Sequence, residues 1–471
     1  MRGTALATLD ASLALDDVIQ ATGGRLLAGR LADAATGVSI DSRTVGTGEL
    51  FVAIAGPRFD GHDFLAEAAA RGAVAALVHR DVAPPPGLAA VRVADTTAAL
   101  ADLARHVRRL ADLPVVAITG STGKTTTKNM TAALLEARGA VLRTEGNLNN
   151  RFGLPLTMLR LRPEHRAAVL ELGMSAAGEL RALSAIAEPD VAVITNVGPA
   201  HLGFFASVDA IADAKAEILE GLRPGGVAVL NGDDPRVRRA GERSGRDVVW
   251  FGRDRRFDVS AENWRGTLFG MRFDLRLPGR TVDVALPLAG PHHVANFLAA
   301  AAVAHRLGVD PEAIASGAAR IHAAPHRGEV RRLGQGVTLL DDCYNASPDA
   351  VEAAVVALGL ASGRRRVVFL GDMLELGGSG AALHRDVGAR LQKRADVVVG
   401  VGPLAAEIVD GAREAGVSAA ALHHFADSTS AAAAAAGLVR AGDAVLVKGS
   451  RGMRMERVVD ALAARFGEAD D

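Results

Sequence analysis

The segment ITGSTGKTTTK, Ile118 to Lys128, restricts the fold of this chain more than any other feature of its sequence. It follows the apolar run PVVA, which is typical of a buried strand, and it precedes a stretch with helical periodicity. Strand, glycine-rich turn and helix therefore come in the order of a phosphate-binding loop. Such a loop predicts a parallel sheet covered by helices, with the loop at the carboxyl edge of the sheet.

The residues of this segment have the chemistry that a phosphate site needs. Glycines let the backbone approach an anion, a lysine adds positive charge, and a threonine can offer its hydroxyl to Mg²⁺. We expect ATP or GTP to contact Gly120, Ser121, Thr122, Gly123, Lys124, Thr125 and Thr126. The strict signature has glycine where Ile118 stands, so a glycine- and threonine-rich turn with a solvated lysine stays open as the alternative.

Composition limits the class of protein. A chain of 471 residues is long enough for about three domains. Its net charge of -1 provides no general basic field for nucleic acid or an anionic membrane, and we expect neither partner. Cys343 is the only cysteine, which excludes an intrachain disulfide, and neither a secretory signal nor an apolar run of membrane-spanning length is evident. A cytoplasmic location is expected.

Breaks in the hydrophobic periodicity, together with alternating strand and helix patterns, predict an α/β protein of three domains. The prolines of APPPG place a first boundary after residue 88, which leaves a small α/β domain at residues 1–88. Alternating apolar strands and helices predict a parallel sheet in residues 89–324, with an antiparallel hairpin added by the alternating pattern of residues 264–288. The alternation resumes in residues 325–471 as a Rossmann-like unit.

Polar side chains follow the strands that neighbour the loop. Glu171 ends the strand AAVLEL and His201 follows VAVITN, so a parallel sheet brings both to the edge that carries the loop. Glu171 is a natural Mg²⁺ ligand, whereas a histidine such as His201 more often caps an element or lies in a core. Lys215 follows on a helix, where a solvated partner of nearby glutamates is the simpler interpretation.

A second group of polar residues follows the strand VTLL in the third domain. Asp341 and Asp342 could bind ribose hydroxyls or cap the helix that begins near Ser347, and Tyr344 and Asn345 lie beside them. We expect Ser347 to be the cap of that helix.

Several motifs, taken in their order, make the chain similar to the Mur ligases, which are ATP-dependent amide-forming enzymes of peptidoglycan precursor synthesis. The resemblance covers essentially the whole chain, and the loop of that family has the form TGxxGKT. The matching motifs are DSRTVGTGELFVAIAG, DGHDF, ITGSTGKTTTK, GNLNNRFGLPLT, ELGMSAAGE, TNVGPAHLGFF, AKAEI, HHVANFLAAAA, DDCYNASPD, GDMLELG and VKGSRGMRME.

The resemblance implies a role for individual residues. It makes Lys124, Lys215 and His201 the catalytic residues, and it implies Mg²⁺ ligation by Thr125, Glu171, His201 and a carbamylated Lys215. Asn296, Arg327 and Asp342 are the nucleotide contacts that it implies outside the loop. Implied contacts to a UDP-sugar substrate are Ser42, Arg43, Asn147, Asn149 and Asn150; candidates for an acceptor dipeptide are Tyr344, Asn345, Lys448, Ser450 and Arg451, although a plain basic turn explains VKGSRGM equally well.

The implied reaction joins D-alanyl-D-alanine to UDP-N-acetylmuramoyl-tripeptide through an acyl phosphate, with ATP and Mg²⁺ required and a monomer as the acting species. A member that adds a diamino acid carries a DNPR signature in its last domain, and this chain has GDMLELG in that region instead. One alternative is another ligase of the superfamily, which adds either glutamate to folate or a diamino acid to the muramoyl dipeptide. The other is a nucleotide-binding module without catalysis.

Overall fold

A computed structural model describes residues 12–200 and 202–469 of the chain. Three α/β sheets of five, nine and six strands follow one another along the sequence, together with one short two-stranded pairing. The predicted fold class of three α/β units is therefore confirmed. Within the described residues, no helix has the length and apolar character needed to cross a membrane.

The first sheet has the strand order β2-β7-β6-β5-β4, in which β4 to β7 are parallel and β2 is antiparallel to β7. Helix α3 packs against α1 of this unit and against α5 and α6 of the next, so it joins the two. The elements are β1 (Leu13–Ala14), α1 (Leu15–Thr22), β2 (Arg25–Ala28), β3 (Ala34–Ala35), β4 (Gly37–Ser39), β5 (Glu49–Val52), α2 (Leu65–Ala70), β6 (Ala75–Val78), β7 (Ala89–Arg92) and α3 (Thr96–Leu110), with α5 (Gly153–Met158) and α6 (Glu179–Ala187) in the central unit.

The prolines of APPPG do not end the first domain. Strand β7 begins directly after them, and it pairs in parallel with β6 from Ala75↔Ala89 to Val78↔Arg92. The prolines therefore lie in a loop inside the sheet, where the lack of backbone donors is harmless. The predicted boundary after residue 88 comes too early because a break in periodicity marks a loop as readily as a linker.

The central sheet has the order β16-β15-β14-β13-β12-β11-β8-β10-β9. Strands β8 to β14 pair in parallel, and β14, β15 and β16 form an antiparallel meander where a single hairpin was predicted. The remaining elements are β8 (Val115–Thr119), α4 (Lys124–Leu135), β9 (Ala140–Arg143), β10 (His165–Glu171), β11 (Val191–Ile194), α7 (Val208–Ala216), β12 (Val227–Asn231), α8 (Pro235–Ser244), β13 (Asp247–Gly252), β14 (Val259–Thr267), β15 (Gly270–Leu277), β16 (Arg280–Leu286), α9 (Pro291–Arg306) and α10 (Pro311–Ala318).

Helix α9 begins earlier than its apolar run indicates. The apolar run NFLAAAA begins at Asn296, but the helix starts at Pro291, where proline fits the first turn because no backbone donor is needed there. The additional turn carries His292 and His293. Their polar side chains interrupt the apolar periodicity, so the sequence pattern does not indicate where the helix starts.

The third sheet has the order β17-β18-β22-β19-β20-β21, in which only the edge strand β17 is antiparallel. It is the Rossmann-like unit expected from the sequence. Its elements are β17 (Glu329–Arg332), β18 (Thr338–Asp341), α11 (Pro348–Leu358), β19 (Arg366–Gly371), α12 (Gly380–Ala389), β20 (Val397–Val401), α13 (Ala406–Glu414), β21 (Leu422–Phe425), α14 (Ser428–Leu438), β22 (Ala444–Lys448) and α15 (Glu456–Phe466).

The turn between β14 and β15 fastens the central unit to the third one. Leu268 is only 3% exposed and belongs to the apolar cluster that contains Val355 and Leu358 of α11. The ring of Phe269 beside it lies under the guanidinium of Arg332, 4.3 Å from the ring centroid. The meander tip, residues 268–269, is therefore an apolar anchor between the two units.

Replacing Leu268 by alanine should weaken this anchor. Removing a buried leucine side chain costs about 2–4 kcal/mol, so we expect a lower urea midpoint for the Leu268→Ala variant. Leu31→Ala, at a leucine that is 49% exposed in the first unit, is the matched control and should stay within about 1 kcal/mol of the wild type. Equal midpoints for both variants would mean that the tip is not anchored in solution.

Candidate active site

The loop between β8 and α4 has the backbone that a phosphate site requires. Gly123 has a left-handed φ of 78°, and a Cβ atom there would clash with Oδ1 of Asn296. A Cβ atom at Gly120 would clash with the hydroxyl of Thr195. Only glycine fits either position without displacing its neighbours, so the two glycines shape the loop around space that lies outside the sheet.

Two residues at the end of the neighbouring strand β11 hold the loop. The hydroxyl of Thr195 donates to the carbonyl of Thr122 at 2.6 Å. The amide of Asn196 accepts from the backbone N–H of Thr122 and donates to its hydroxyl, both at 2.9 Å. Neither residue was among the predicted contacts, although both lie in the motif TNVGPAHLGFF, at a strand exit next to the loop.

Lys124 at the start of α4 folds back over the loop. Its ammonium donates to the carbonyl of Gly120 at 2.8 Å. Burial lowers the pKa of Lys124, the Glu171 carboxylate opposes that effect, and the positive charge of Arg327 adds to it. The lysine is therefore short of negative charge in its surroundings, and an anion in the loop would supply it.

Glu171 lies beside the loop at the end of β10, as the strand pattern predicts. It is 4% exposed, and its two oxygens accept from the Thr125 hydroxyl at 2.8 Å and from the Asn149 amide at 3.0 Å. A carboxylate and a hydroxyl in contact at the end of a phosphate loop are the oxygen donors that Mg²⁺ prefers. His201, the other predicted ligand from this edge, lies outside the described residues.

Lys215 of α7 is not the solvated surface lysine that its helix position first indicates. It is 2% exposed, and its side chain makes no hydrogen bond or ion pair with any residue that the structure describes. Burial, with the positive charge of Lys124 second, holds the pKa of Lys215 well below its usual range. The side-chain amine of Lys215 lines the cavity beside the phosphate loop, where burial favours its uncharged form.

The loop after β18 forms the opposite wall of the cavity. Lys448 is 3% exposed, and its ammonium donates to the Asp342 carboxylate at 2.6 Å and to the carbonyl of Asn345 at 2.9 Å. Asp342 therefore does not cap α11. Ser347 occupies the N-cap position of that helix as predicted, but its side chain makes no capping hydrogen bond.

Two histidines of the first turn of α9 are functional candidates that the sequence reasoning missed. His292 and His293 line the cavity, and the buried Nδ1 atom of each has no hydrogen-bond partner among the described residues. Burial lowers the pKa of His292 to about 4 and places that of His293 well below its usual range, so both rings are neutral at physiological pH. The doubled histidine ahead of NFLAAAA was the available signal.

One cavity of about 1200 Å³ connects the central and third units. Ser42 and Arg43 do not line it; their side chains contact Glu67 and Asp41 within the first unit. The predicted residues that do line it are Gly120, Ser121, Thr122, Gly123, Lys124, Thr125, Thr126, Asn147, Asn149, Asn150, Glu171, Lys215, Asn296, Arg327, Asp342, Tyr344, Asn345, Lys448, Ser450 and Arg451.

A backbone hydrogen bond joins the central and third units at Glu375, which lines this cavity. The N–H of Gly203 in the central unit donates to the carbonyl of Glu375 in the third unit at 2.9 Å. The contact lies in the motifs TNVGPAHLGFF and GDMLELG. The third unit is thus attached by the meander tip, by packing of α11 on α9 and by this backbone hydrogen bond.

Comparison with known protein families assigns all three units of the chain. Residues 34–108 match the Mur ligase family, catalytic domain; residues 118–304 match the Mur ligase middle domain; and residues 326–451 match the Mur ligase, glutamate ligase domain.

Individual relatives agree with this assignment over most of their length. UDP-N-acetylmuramoyl-tripeptide--D-alanyl-D-alanine ligase of Escherichia coli is 40% identical, over 90% of this chain and 93% of the relative. A crystal structure of MurF from Acinetobacter baumannii is similar with a TM-score of 0.89 and 35% identity, over 96% of this chain and 99% of that one. MurF ligase from Thermotoga maritima in complex with ADP gives a TM-score of 0.81 and 32% identity, over 91% and 97%.

The buried amine of Lys215 should cost stability. Because its pKa in the folded chain is depressed, the unfolded chain binds the proton more strongly at every pH below the ordinary lysine pKa, and the folded state is penalised there. We expect Lys215→Met to raise the thermal midpoint at neutral pH in bicarbonate-free buffer, with a gain that shrinks as the pH rises toward that ordinary value. Lys393→Met, at an exposed lysine, should show no such trend. A lower midpoint for Lys215→Met would contradict a Lys215 pKa that burial depresses in the folded chain.

Proposed function

The chain belongs to the Mur ligase family, and we propose that it joins D-alanyl-D-alanine to UDP-N-acetylmuramoyl-tripeptide in peptidoglycan precursor synthesis, with ATP converted to ADP and phosphate. One observation carries this proposal: the phosphate loop and Glu171 of one unit face Arg327 and Asp342 of another across a single cavity. A bound triphosphate and a reacting carboxylate can be enclosed between the two units. The E. coli relative of that name supports the choice of the dipeptide as acceptor.

ATP binds, in this proposal, with its phosphates in the loop from Gly120 to Thr126. Backbone N–H groups at the start of α4 face the phosphates, and the Lys124 ammonium exchanges the Gly120 carbonyl for phosphate oxygens. Asn296 lies against the loop and contacts the adenine, while Asp342 accepts from a ribose hydroxyl. Arg327 reaches the phosphates from the third unit. The ADP complex of the Thermotoga maritima relative supports a nucleotide at this place.

Mg²⁺ fits the oxygen donors at the end of the loop. Thr125 and Glu171 would hold it, because their oxygens already meet at 2.8 Å and Glu171 is the acidic residue beside the loop. His201 and a carbamylated Lys215 complete the proposed set of ligands. When bound, the ion neutralises charge on the phosphates.

Lys215 is proposed to react with carbon dioxide. The uncharged form of its amine, which burial favours, attacks the carbon atom, loses a proton and becomes a carbamate, an anion with two oxygens. The change replaces an amine, whose protonated form repels the Lys124 ammonium, with an anion that balances that charge. Burial supports this proposal because an ammonium would lack the lone pair that the attack requires.

The first chemical step activates the tripeptide. A carboxylate oxygen of the tripeptide attacks the γ-phosphorus of ATP, the bond to the bridging oxygen breaks, and ADP leaves. Lys124 and Arg327 stabilise the charge on the transferred group. The product is an acyl phosphate, whose phosphate is a good leaving group.

The second step forms the amide. The free amine of D-alanyl-D-alanine attacks the acyl carbon, the tetrahedral intermediate expels phosphate, and the nitrogen loses its proton. Water would hydrolyse the acyl phosphate, so the cavity has to be closed while it exists. The hydrogen bond between Gly203 and Glu375 joins the two units beside the cavity lining and supports this proposal of closure.

The two substrates are proposed to enter from different units. Ser42 and Arg43 of the first unit bind the UDP-sugar, and the tripeptide extends past Asn147, Asn149 and Asn150 toward the loop. The acceptor dipeptide lies against the third unit. Arg451 is the strongest of the five candidates for its carboxylate, because it is exposed and its ion pair with Glu456 is long at 3.5 Å. Lys448 is engaged by Asp342 at 2.6 Å, and the Ser450 hydroxyl accepts from the N–H of Leu374.

The organisation that accompanies this function is also a proposal. We place the second domain boundary near residue 324, in the segment between α10 and β17, and the first one beyond β7. The enzyme acts as a monomer in the cytoplasm, where its nucleotide-linked substrates are made, without nucleic acid or membrane insertion.

Acceptor specificity tests the proposal directly. Phosphate release from ATP is measured with UDP-N-acetylmuramoyl-tripeptide and one of three acceptors: D-alanyl-D-alanine, a diamino acid or glutamate. We expect release with the dipeptide alone. Release that requires a diamino acid or glutamate would assign the chain to another ligase of the superfamily, and ATP turnover with no acceptor dependence would leave only a nucleotide-binding module.

Lys124→Met should abolish this turnover. Removal of the charge next to the transferred phosphoryl group should lower kcat by about 10³-fold or more, because electrostatic stabilisation is the main contribution to phosphoryl transfer. Lys393→Met, outside the cavity, controls for the loss of one lysine and should keep wild-type kcat. Substantial activity of a folded Lys124→Met variant would show that the loop has been misassigned.

A further inference from the structure

The segment that connects the central and third units carries Arg327 into the cavity. It runs from the end of α10 at Ala318 to the start of β17 at Glu329. His326, directly before the arginine, has a φ of 61°. This left-handed conformation is unfavourable for a residue with a Cβ atom, so other contacts have to hold it.

Two hydrogen bonds fasten His326 to the loop after β18. Its Nδ1 atom lies 2.8 Å from a carboxylate oxygen of Asp341, which is fully buried. Its carbonyl accepts from the backbone N–H of Tyr344 at 3.0 Å. The connecting segment is thus attached at one residue by both its side chain and its backbone.

Tyr344 completes the attachment through its ring. The guanidinium carbon of Arg327 lies 3.8 Å from the ring centroid, close enough for a strong cation–π contact. The phenol hydroxyl makes no hydrogen bond to any described residue, so the face of the ring is the part that contacts the arginine. Arg451 approaches the same ring at 5.8 Å.

Arg327 shares the cavity with a second cation, Lys124. Its charge lowers the pKa of Lys124, which means that the two groups repel each other near the phosphate loop. This repulsion and the many rotamers of a free arginine favour its turning into solvent, so another contact has to hold it in place. The ring of Tyr344 offers an attraction that does not use up the charge of the guanidinium.

We propose that Tyr344 and His326 are positioning residues that hold the Arg327 guanidinium over the phosphate loop before ATP arrives. His326 fixes the backbone of the connecting segment, and the Tyr344 ring fixes the side chain. This inference rests on the proposed function. It also assigns Tyr344 a different task from that of a dipeptide contact.

Paired variants separate the ring from the hydroxyl. Tyr344→Leu removes the π face and should raise KM for ATP by about 3- to 30-fold, the range of a cation–π contact, with KM for the UDP-linked substrate unchanged. Tyr344→Phe keeps the ring and should stay within about twofold of the wild type. Equal damage in both variants, or no change in Tyr344→Leu, would overturn the proposal.

A glycine at position 326 separates backbone conformation from the imidazole. His326→Gly adopts the left-handed φ freely, so backbone strain is relieved while the bond to Asp341 is lost. We expect the same rise in KM for ATP. His322→Ala, at an exposed histidine earlier in the segment, is the control and should be unaffected. Wild-type KM in a folded His326→Gly variant would contradict a positioning role for the imidazole.

A spectroscopic measurement does not depend on turnover. Tyr344 is the only tyrosine of the chain, so a difference absorbance in the tyrosine band reports on its ring alone after subtraction of the tryptophan contribution. Binding of the β,γ-imido analogue of ATP should perturb that band in the wild type and leave it unchanged in Arg327→Ala. An identical perturbation in Arg327→Ala would sink the proposal. If the band behaves as expected but no acceptor supports turnover, the proposed function fails and the positioning role stands.

Discussion

The structure depends on an excess of positive charge gathered around the loop after β8. Lys124 lies at the start of α4, Arg327 enters the same cavity from the third unit, and the Glu171 carboxylate is the negative charge that acts on Lys124 at the loop. In a partly buried site these cations raise each other's free energy, and water screens them poorly. An anion placed between the two cations relieves this repulsion, so the arrangement favours the binding of a polyphosphate.

The attachment of the third unit follows from the same requirement. One half of the cation set belongs to the central sheet and the other half to the connecting segment, so the site is complete only while both units are in place. The meander tip and the backbone hydrogen bond differ in strength. Burial of Leu268 is worth about 2 kcal/mol or more, whereas a single backbone hydrogen bond near solvent contributes about 1 kcal/mol. Thermal motion will therefore break the contact between Gly203 and Glu375 before it dislodges the meander tip.

Features that rest on local chemistry could be predicted from the sequence. The phosphate loop, the position of Glu171 at a strand end and the three α/β units follow from glycine placement and from apolar periodicity, and they are found in the structure. Features that depend on contacts between residues far apart in the sequence could not be predicted. A proline-rich loop inside a sheet looks like a linker until β7 is seen beside β6, and nothing near Lys448 in the sequence indicates that its partner is Asp342. His292 and His293 were missed because polar residues in a first helical turn interrupt the apolar period.

The meander tip also has a consequence for how the chain is made. Leu268 and Phe269 leave the ribosome before α11 and β17, which cover them in the finished protein. Until about a hundred further residues have been synthesised, the nascent central unit carries an uncovered apolar turn at the end of an antiparallel meander, a surface that favours association with other chains. Because the third unit covers this turn, a chimera that takes its third unit from a relative also has to take residues 268–269 from that relative. The third unit and the meander tip of the central unit therefore have to match each other in sequence.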